Sequence, residues 1–272
     1  MAEIINSLWI GKPLSAIERL CITSFLQNGH EFHLYCYDKI GNVPDGAVLR
    51  DAAEILPASE IFSYQHGNAK GSLSAFANLF RLKLLLERGG WWVDADVVCL
   101  RPFDFEEDLV FASEWINTAS CVTNAVLKFP KGHRIARLCY EAAREKNRAQ
   151  MQYMEIGPVL VDRIVRENSL EPFVKLPEVF CPLPNWQWAS LLSPKPLAEM
   201  VTGETRAIHL WHEHWRRAGV KINPAAFEIP PKTLWKKIAR KTGLKPRQTL
   251  AVTPFGQLLH QFGLNDEATF SV

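Results

Sequence analysis

Residues 89–96 read Gly-Gly-Trp-Trp-Val-Asp-Ala-Asp, and this stretch predicts more about the chain than any other. A glycine pair ends a helix-like segment, an apolar run follows, and the carboxylates of Asp94 and Asp96 close it. Side chains two residues apart in an extended strand point the same way, so both aspartates are expected to project together from the end of a buried strand. Two adjacent carboxylates repel each other and lose hydration, which predicts a compensating divalent cation with oxygen ligands.

The segments around this stretch predict alternating strands and helices. Strands are expected over 4–10, 31–37, 47–51, 91–100, 109–113, 120–128 and 205–211, and helices over 14–28, 73–88, 133–148 and 157–167. The β-α-β order at the start favours a parallel sheet with helices on its faces, and therefore an α/β fold.

Composition is that of an ordinary globular protein, with 272 residues, 47% of them hydrophobic and 22% charged. A net charge of +2 is too small to indicate nucleic-acid binding. The N-terminus lacks the basic and apolar regions of a signal peptide, and no apolar run approaches the roughly 20 residues of a membrane span. Six scattered cysteines without a CxxC pair predict reduced core residues in a cytoplasmic protein.

The C-terminal region has a different charge pattern. Seven Lys or Arg residues and no Asp or Glu lie between Lys232 and Arg247, interleaved with apolar residues. This pattern is typical of a basic amphipathic segment on an anionic membrane surface, and equally of a solvated helix packed on the domain edge. We therefore expect a main domain over 1–225 and a basic extension over 226–272, with peripheral contact at the inner face of the plasma membrane as one alternative.

Two polar residues interrupt the apolar helix before the aspartates. Asn78 and Arg81 are three residues apart and share a helix face. A buried guanidinium requires an anion or good acceptors, which leaves two alternatives. Arg81 pairs with a local carboxylate such as Asp94, or Asn78 and Arg81 face a polar ligand beside the aspartates.

The block Ser-Ala-Phe-Ala-Asn-Leu-Phe-Arg over 74–81, continued by the glycine pair and the Asp-Ala-Asp motif, resembles a known family. It is similar to the DXD region of nucleotide-sugar glycosyltransferases, in particular the family 32-like group that includes bacterial capsule and lipopolysaccharide enzymes. The resemblance follows residues 4–215 in order and is most specific over 74–103. It implies a GT-A type, Rossmann-like, mostly parallel sheet with helices on both faces, and a nucleotide at the carboxyl ends of the first strands.

The resemblance also implies roles for the residues of this block. Asp96 would bind the metal directly, and Asp94 would contact the ribose or a metal-bound water, with Asp94 as a further metal ligand. Arg81 would contact the donor sugar or its phosphate, so that Asp94, Asp96 and Arg81 form the catalytic set. Asn78 stands where the family usually has an Asp that contacts a sugar hydroxyl, and it keeps an acceptor without the charge.

Further matches lie at the two ends of the domain. Leu8, Trp9 and Ile10 match the segment that holds the base, where Trp9 would stack on uracil; the alternative is a core tryptophan. The segment 207–215 matches a C-terminal His and Trp motif, in which His209 is the expected third ligand of Mn²⁺ or Mg²⁺. Trp215 would close over the diphosphate.

Four weaker candidates complete the set of predicted site residues. His212 and His214 follow the last strand and are less favoured metal ligands than His209. By the same resemblance, Asn124 would lie near the acceptor and Gly157 near the donor sugar. For Gly157, which precedes Pro158, the alternative is the start of a helix.

The implied reaction is sugar transfer from a nucleotide-diphosphate sugar, with UDP as the preferred nucleotide, to a hydroxyl of a glycan or lipid-linked acceptor. The resemblance implies retention of configuration. No clear carboxylate for a covalent glycosyl-enzyme is evident, which favours a front-face transfer. Two alternatives are a non-catalytic nucleotide-sugar-binding homologue, supported by Asn78, and a phosphatase in which Asp94 attacks phosphorus.

Overall fold

The computed structural model describes residues 4–11, 13–222, 227–228 and 253–264, and the basic segment 232–247 lies outside these ranges. The helices are Ala16–Gln27 (α1), Ser74–Arg88 (α2), Arg134–Arg144 (α3), Pro158–Glu167 (α4), Pro177–Phe180 (α5), His212–Arg217 (α6) and Pro254–Gln261 (α7). The strands are Ile5–Trp9 (β1), Phe32–Cys36 (β2), Val48–Asp51 (β3), Gly90–Val93 (β4), Val97–Cys99 (β5), Val110–Ile116 (β6), Ala119–Phe129 (β7), Ala207–His209 (β8), Lys221–Ile222 (β9) and Phe227–Glu228 (β10).

A six-stranded sheet in the order β3-β2-β1-β4-β7-β6 forms the centre of the molecule. The first four strands in this order run parallel. β7 pairs antiparallel with β4, and β6 pairs antiparallel with β7. The carboxyl ends of β1, β2 and β4 therefore meet at one edge of the sheet. The predicted α/β fold with a mostly parallel sheet is confirmed.

Helices cover both faces of this sheet, as the two neighbouring tryptophans of β4 demonstrate. Trp91 packs into the core on the α1 face, whereas Trp92 packs into the core formed with α2, α3 and α4. Both side chains are at most 1% exposed. Alternate residues of a strand face opposite sides, so an apolar strand without a polar face requires cover on both sides.

The glycine pair before β4 has the conformation that the sequence predicts. α2 ends at Arg88, and Gly89 follows with φ of +71°, a region that glycine enters without strain. A Cβ at this position would lie 2.5 Å from the backbone nitrogen of Lys131. The chain can therefore turn from helix to strand against the 130–132 loop only with glycine at 89.

The predicted continuous strand over 91–100 is wrong, because the chain turns at the aspartates. β4 ends at Val93, and the N–H of Val97 donates to the carbonyl of Asp94 at 3.0 Å, which closes a tight turn. The chain then forms β5, which leaves the main sheet and pairs with β8. Asp94 and Asp96 thus come together through a turn, and the side-chain alternation of a strand does not apply to them.

The described part of the C-terminal region packs on the main domain. Phe255 of α7 contacts Trp215 with ring centres 5.0 Å apart, and the amide of Gln257 accepts from the N–H of Leu197 at 2.9 Å. Phe255 itself is fully buried. None of the helices described is both long enough and apolar enough to cross a bilayer.

Candidate metal centre

Asp94, Asp96 and His209 converge at the carboxyl edge of the sheet. Each offers one ligand atom, and the three atoms lie within 4.8 Å of one another. The two aspartates come from the turn after β4, and His209 ends β8, which pairs with β5 so that His209 lies opposite Val97. The sheet pairing therefore brings together residues that are 113 positions apart in sequence.

Asp96 is held by α6 and by the imidazole. Its Oδ1 lies 3.1 Å from Nε2 of His209, and its Oδ2 accepts from the backbone N–H of His212 at 2.8 Å. Burial opposes ionisation, but His209 and the His212 N–H hold the pKa of Asp96 well below its ordinary value. Burial likewise disfavours a charged imidazole, yet the Asp96 carboxylate raises the pKa of His209 well above its ordinary value.

Trp211 makes this geometry possible. Its backbone adopts φ of +59° and ψ of +44°, a left-handed conformation that is strained for a non-glycine residue. The turn directs the first N–H of α6 toward Asp96, and the indole ring lies 3.9 Å from the His209 ring, centre to centre. The indole N–H donates to the carbonyl of Leu183 at 2.8 Å, which fixes the ring against the imidazole.

Arg81 compensates the charge of the other aspartate. A guanidinium nitrogen lies 2.8 Å from Oδ1 of Asp94, which also accepts from the indole N–H of Trp92 at 2.9 Å. Arg81 is 4% exposed, lies over the Trp92 ring and donates to the carbonyl of Asn124. Burial still raises the pKa of Asp94 although Arg81 opposes that shift.

The first alternative for the polar face of α2 describes the structure, and the second stays a prediction. Arg81 pairs with Asp94, and Asn78 and Arg81 also line one cavity with both aspartates. Asn78 accepts through Oδ1 from the side-chain amide of Asn124 at 2.9 Å. Gly157 packs against this pair so closely that a Cβ would lie 2.5 Å from Nδ2 of Asn78.

A cavity of about 350 Å³ opens beside the metal centre. Its polar lining residues are Tyr64, Ser72, Ser74, Asn78, Arg81, Asp94, Asp96, Glu114, Thr123, Asn124, Tyr153, Asn185, His209, Glu213, His214 and Arg217. Glu114 was not among the residues that the sequence singles out. Its signal is a carboxylate inside the mostly apolar strand β6, where a buried acid requires a reason.

The segment predicted to hold the base lies at the same edge of the sheet but outside this cavity. Leu8 and Trp9 end β1, which runs parallel beside β4, and Ile10 follows directly. Leu8 is buried, and Trp9 packs partly against the α1 face of the core. The indole nitrogen of Trp9 has no hydrogen-bond partner among the described residues, so stacking on a base stays a prediction.

Trp215, His212 and His214, the remaining C-terminal candidates, lie in three different surroundings. Trp215 is fully buried between Trp188 and Phe255 and does not line the cavity, so a role over the diphosphate would require it to leave this packing. His212 donates through Nδ1 to the carboxylate of Glu18 at 2.8 Å, and Glu18 also closes the N-terminal capping box of α1. His214 lines the cavity wall.

The donor set of the cluster fits a divalent cation of the Mn²⁺ or Mg²⁺ type. Two carboxylates and one imidazole supply oxygen and nitrogen ligands, and imidazole favours Mn²⁺ over Mg²⁺. Asp96 and His209 would both hold the ion, with Asp94 as the further ligand. The Glu18–His212 contact and the His212 N–H would continue to orient Asp96, as outer partners do at metal sites.

No family model and no curated protein matches the sequence. Among solved structures, the chain is similar to the PaToxG glycosyltransferase, with a TM-score of 0.47 and 14% identity over 61% of this chain and 69% of that one. It is also similar to the ligand-free glycosyltransferase domain from the YGT toxin, with a TM-score of 0.47 and 10% identity over 97% of this chain and 99% of that one. Likeness at this level assigns no reaction, which has to be argued from the residues of the site.

Proposed function

We propose that the protein is a metal-dependent glycosyltransferase that moves a sugar from a nucleotide-diphosphate sugar to a hydroxyl of a glycan or glycolipid. The observation that carries this proposal is the convergence of Asp94, Asp96 and His209 within 4.8 Å, beside buried Arg81, at the carboxyl edge of a parallel sheet. Open α/β sheets bind ligands at this edge. The preferred nucleotide is UDP, which rests on the resemblance alone.

The roles of the chain's own residues follow from their positions. Asp96 and His209 would hold the cation, with Asp94 as the further ligand, and the bound ion would neutralise charge that develops on the leaving diphosphate. Arg81 supplies a fixed positive charge beside the same cavity, because Asp94 and the Asn124 carbonyl hold its guanidinium. The neutral Asn78–Asn124 pair offers amide groups to sugar hydroxyls.

Retention of configuration also stays part of the proposal, but the argument for a front-face route is weaker than the sequence suggested. The front-face route was favoured because no carboxylate suited a covalent intermediate, whereas Glu114 now lines the cavity. Analysis of the product anomer by NMR distinguishes retention from inversion, and an inverted product would contradict this part of the proposal.

The membrane alternative is proposed for the segment 232–247, whose seven basic residues would contact anionic headgroups. A lipid-linked acceptor at the inner face of the plasma membrane is consistent with such contact, and a free oligosaccharide acceptor does not need it.

Calorimetric titration of Mn²⁺ and UDP into the wild type, Asp96→Ala and Asp108→Ala tests the proposed function. Asp108 is an exposed control next to the start of β6, at the opposite end of the sheet. We expect metal-dependent UDP binding in the wild type and Asp108→Ala, and none in Asp96→Ala. Failure of UDP, GDP and other nucleotides to bind with Mn²⁺ would contradict the proposal. Binding without turnover would favour the non-catalytic alternative, and hydrolysis of an aryl phosphate would favour a phosphatase.

A further inference from the structure

Glu114 is a buried carboxylate that the roles proposed above do not use. It lies on β6, is 5% exposed and lines the cavity of the metal centre. Its hydrogen-bond partners are the neutral side chains of Thr123 and Asn185. Within the described ranges it forms no ion pair, although burial of a lone carboxylate is costly.

The carboxylates of Asp94 and Asp96 in the same cavity are compensated differently, and that of Glu213 pairs with Arg216 and Arg217. Asp94 faces the Arg81 guanidinium, and Asp96 faces His209 and a backbone N–H. Glu114 is also absent from the group of ligand atoms that lie within 4.8 Å of one another. Burial raises the pKa of Glu114 and the charge of the Asp94 carboxylate adds to this shift, whereas a positive charge on His209 and the hydrogen bonds from Thr123 and Asn185 oppose it. Glu114 therefore lies next to the metal centre without belonging to it.

An irregularity of the sheet turns this part of the chain toward the cavity. Phe111 of β6 pairs with Leu127 of β7, and the next pair is Ser113 with Val122, so β7 contains extra residues between the two pairs. These extra residues include Thr123 and Asn124, which line the cavity. Bulges of this kind redirect side chains next to active sites.

Strand β7 lies between Glu114 on β6 and the aspartates that follow β4. The N–H of Asp94 donates to the carbonyl of Ala125 at 2.9 Å, and Thr123, two residues along β7, contacts Glu114 on the next strand. A diphosphate held at Asp94 and Asp96 would thus carry its sugar within the same cavity. Tyr153, which is 54% exposed, marks the open mouth from which an acceptor would enter.

We infer that Glu114 is a specificity-determining residue that accepts hydrogen bonds from hydroxyls of the donor sugar. This inference rests on the proposed function, because it needs a donor whose diphosphate lies at the metal centre. Each carboxylate oxygen can accept more than one hydrogen bond, so sugar hydroxyls can add donors beside Thr123 and Asn185. A hydrogen bond to an ionised acceptor is about twice as strong as a neutral one. Thr123 and Asn185 hold the carboxylate in place for this contact.

The test measures the contribution of the sugar to donor affinity separately from that of the nucleotide. Calorimetry with Mn²⁺ present compares UDP with UDP-glucose, UDP-galactose and UDP-N-acetylglucosamine for the wild type and Glu114→Gln. Glu107→Gln is the matched control, since Glu107 pairs with Lys175 on the surface at the far end of the sheet. For the sugar nucleotide that the wild type hydrolyses fastest, we expect Glu114→Gln to bind roughly tenfold more weakly, with unchanged affinity for UDP. Glu107→Gln should match the wild type with every ligand.

The outcomes distinguish this inference from the proposed function. If the wild type binds UDP and Glu114→Gln binds every UDP-sugar as tightly as the wild type, the inference is wrong and the glycosyltransferase proposal survives. Wild-type affinity in Glu114→Gln together with lost turnover would assign Glu114 to a covalent step instead. If the wild type binds no UDP, both fail. A thermal melt of Glu114→Gln at or above the wild-type temperature excludes misfolding as the cause of weaker binding.

Discussion

Gly157 occupies a position where a side chain has no room, because the side chains of Asn78 and Asn124 lie against it. A Cβ there would lie 2.5 Å from Nδ2 and 3.0 Å from Cγ of Asn78, and 3.2 Å from Nδ2 of Asn124. Both amides are buried and bonded to each other, so neither can move away without breaking that bond. Glycine at 157 thus serves the Asn78–Asn124 pair as well as the start of α4.

We therefore expect Gly157→Ala to lower the free energy of unfolding by about 1–3 kcal/mol, the usual cost of overpacking. It should also weaken UDP-sugar binding more than Mn²⁺ binding. Gly203→Ala is the matched control, because a Cβ at 203 meets nothing within 4 Å. Urea denaturation and calorimetry of both variants measure the two effects. Equal stability of the two variants would show that the Asn78 amide is free to shift.

The raised pKa of Glu114 predicts how the stability of the protein depends on pH. Burial raises this pKa, so between the ordinary carboxyl value of about 4.3 and the higher folded value the folded state binds more protons than the unfolded state. Stability contributed at this site therefore falls as the pH rises through that window. Glu114→Gln removes the ionisation, so it should be more stable than the wild type at pH 8, and this advantage should shrink below about pH 4.

Urea denaturation of the wild type and Glu114→Gln at several pH values measures this difference. Glu107→Gln is again the control, because Lys175 lowers the pKa of Glu107 and the pH dependence at that site has the opposite sign. A Glu114→Gln advantage that does not change with pH would show that Glu114 is neutral or well solvated in the folded protein.

At the scale of elements, the site depends on one ion pair that joins α2 to the end of β4. Arg81 is buried on the helix, whereas 26% of the Asp94 side chain is exposed. Removal of one partner leaves an uncompensated charge, which costs more than loss of the pair itself. The pair therefore locks the helix against the turn that carries both aspartates.

A double-mutant cycle measures this coupling. Arg81→Met should lower the free energy of unfolding by about 3 kcal/mol, at the low end for a buried pair because Asp94 is partly exposed. Arg81→Met with Asp94→Asn should regain much of this loss, since Asn still accepts from the Trp92 indole. The surface pair Arg166–Asp162 supplies the control, where Arg166→Met should cost much less. Additive effects of the two substitutions would contradict the coupling.

The elements themselves were largely predictable from local patterns. Helix α2 was expected over 73–88 and spans Ser74–Arg88, because its apolar run and the following glycine pair are local signals. The strand over 91–100 was not, because β5 turns away to pair with β8, more than 100 residues later. The site departs from this rule in one respect, because Asp94, Asp96, Arg81 and His209 converge as the resemblance implied although His209 is distant in sequence. Glu114 follows the rule, since its position depends on a bulge that local sequence does not encode.

The tryptophans of the C-terminal motif also show that local sequence does not determine which side chain faces the site. The C-terminal motif contains Trp211 and Trp215, and Trp215 was assigned to the diphosphate. Trp215 is instead fully buried against α7, while Trp211 contacts His209 and lines the cavity. Which of two neighbouring tryptophans faces the site depends on the left-handed turn at 211 and on packing by residues 253–264, and neither has a signal within the motif.

At the scale of the whole molecule, the C-terminal region carries two separate features. Phe255, Leu258, Leu259 and Phe262 are buried on the main domain, and the amide of Gln27 donates to the carbonyl of Phe262 at 3.2 Å. Removal of residues 253–272 would therefore expose core around Trp215. A truncated protein would mix loss of stability with any loss of membrane contact, so deletion cannot test the basic segment 232–247.

Charge substitution separates the two features. Replacement of the seven Lys and Arg residues between 232 and 247 by Gln should leave the melting temperature close to that of the wild type. Because each basic residue contributes about 1 kcal/mol near an anionic surface, the same variant should bind phosphatidylglycerol vesicles at least roughly tenfold more weakly. Wild-type binding should also weaken as salt rises, because the attraction is screened.

Phe255→Ala is the opposite control: it should lose about 3–5 kcal/mol of stability through the cavity it leaves, while its folded fraction keeps wild-type vesicle binding. Co-sedimentation and thermal melts measure both properties for each variant. Vesicle binding by the charge-substituted variant equal to that of the wild type would eliminate the membrane alternative. An acceptor in solution would then be favoured.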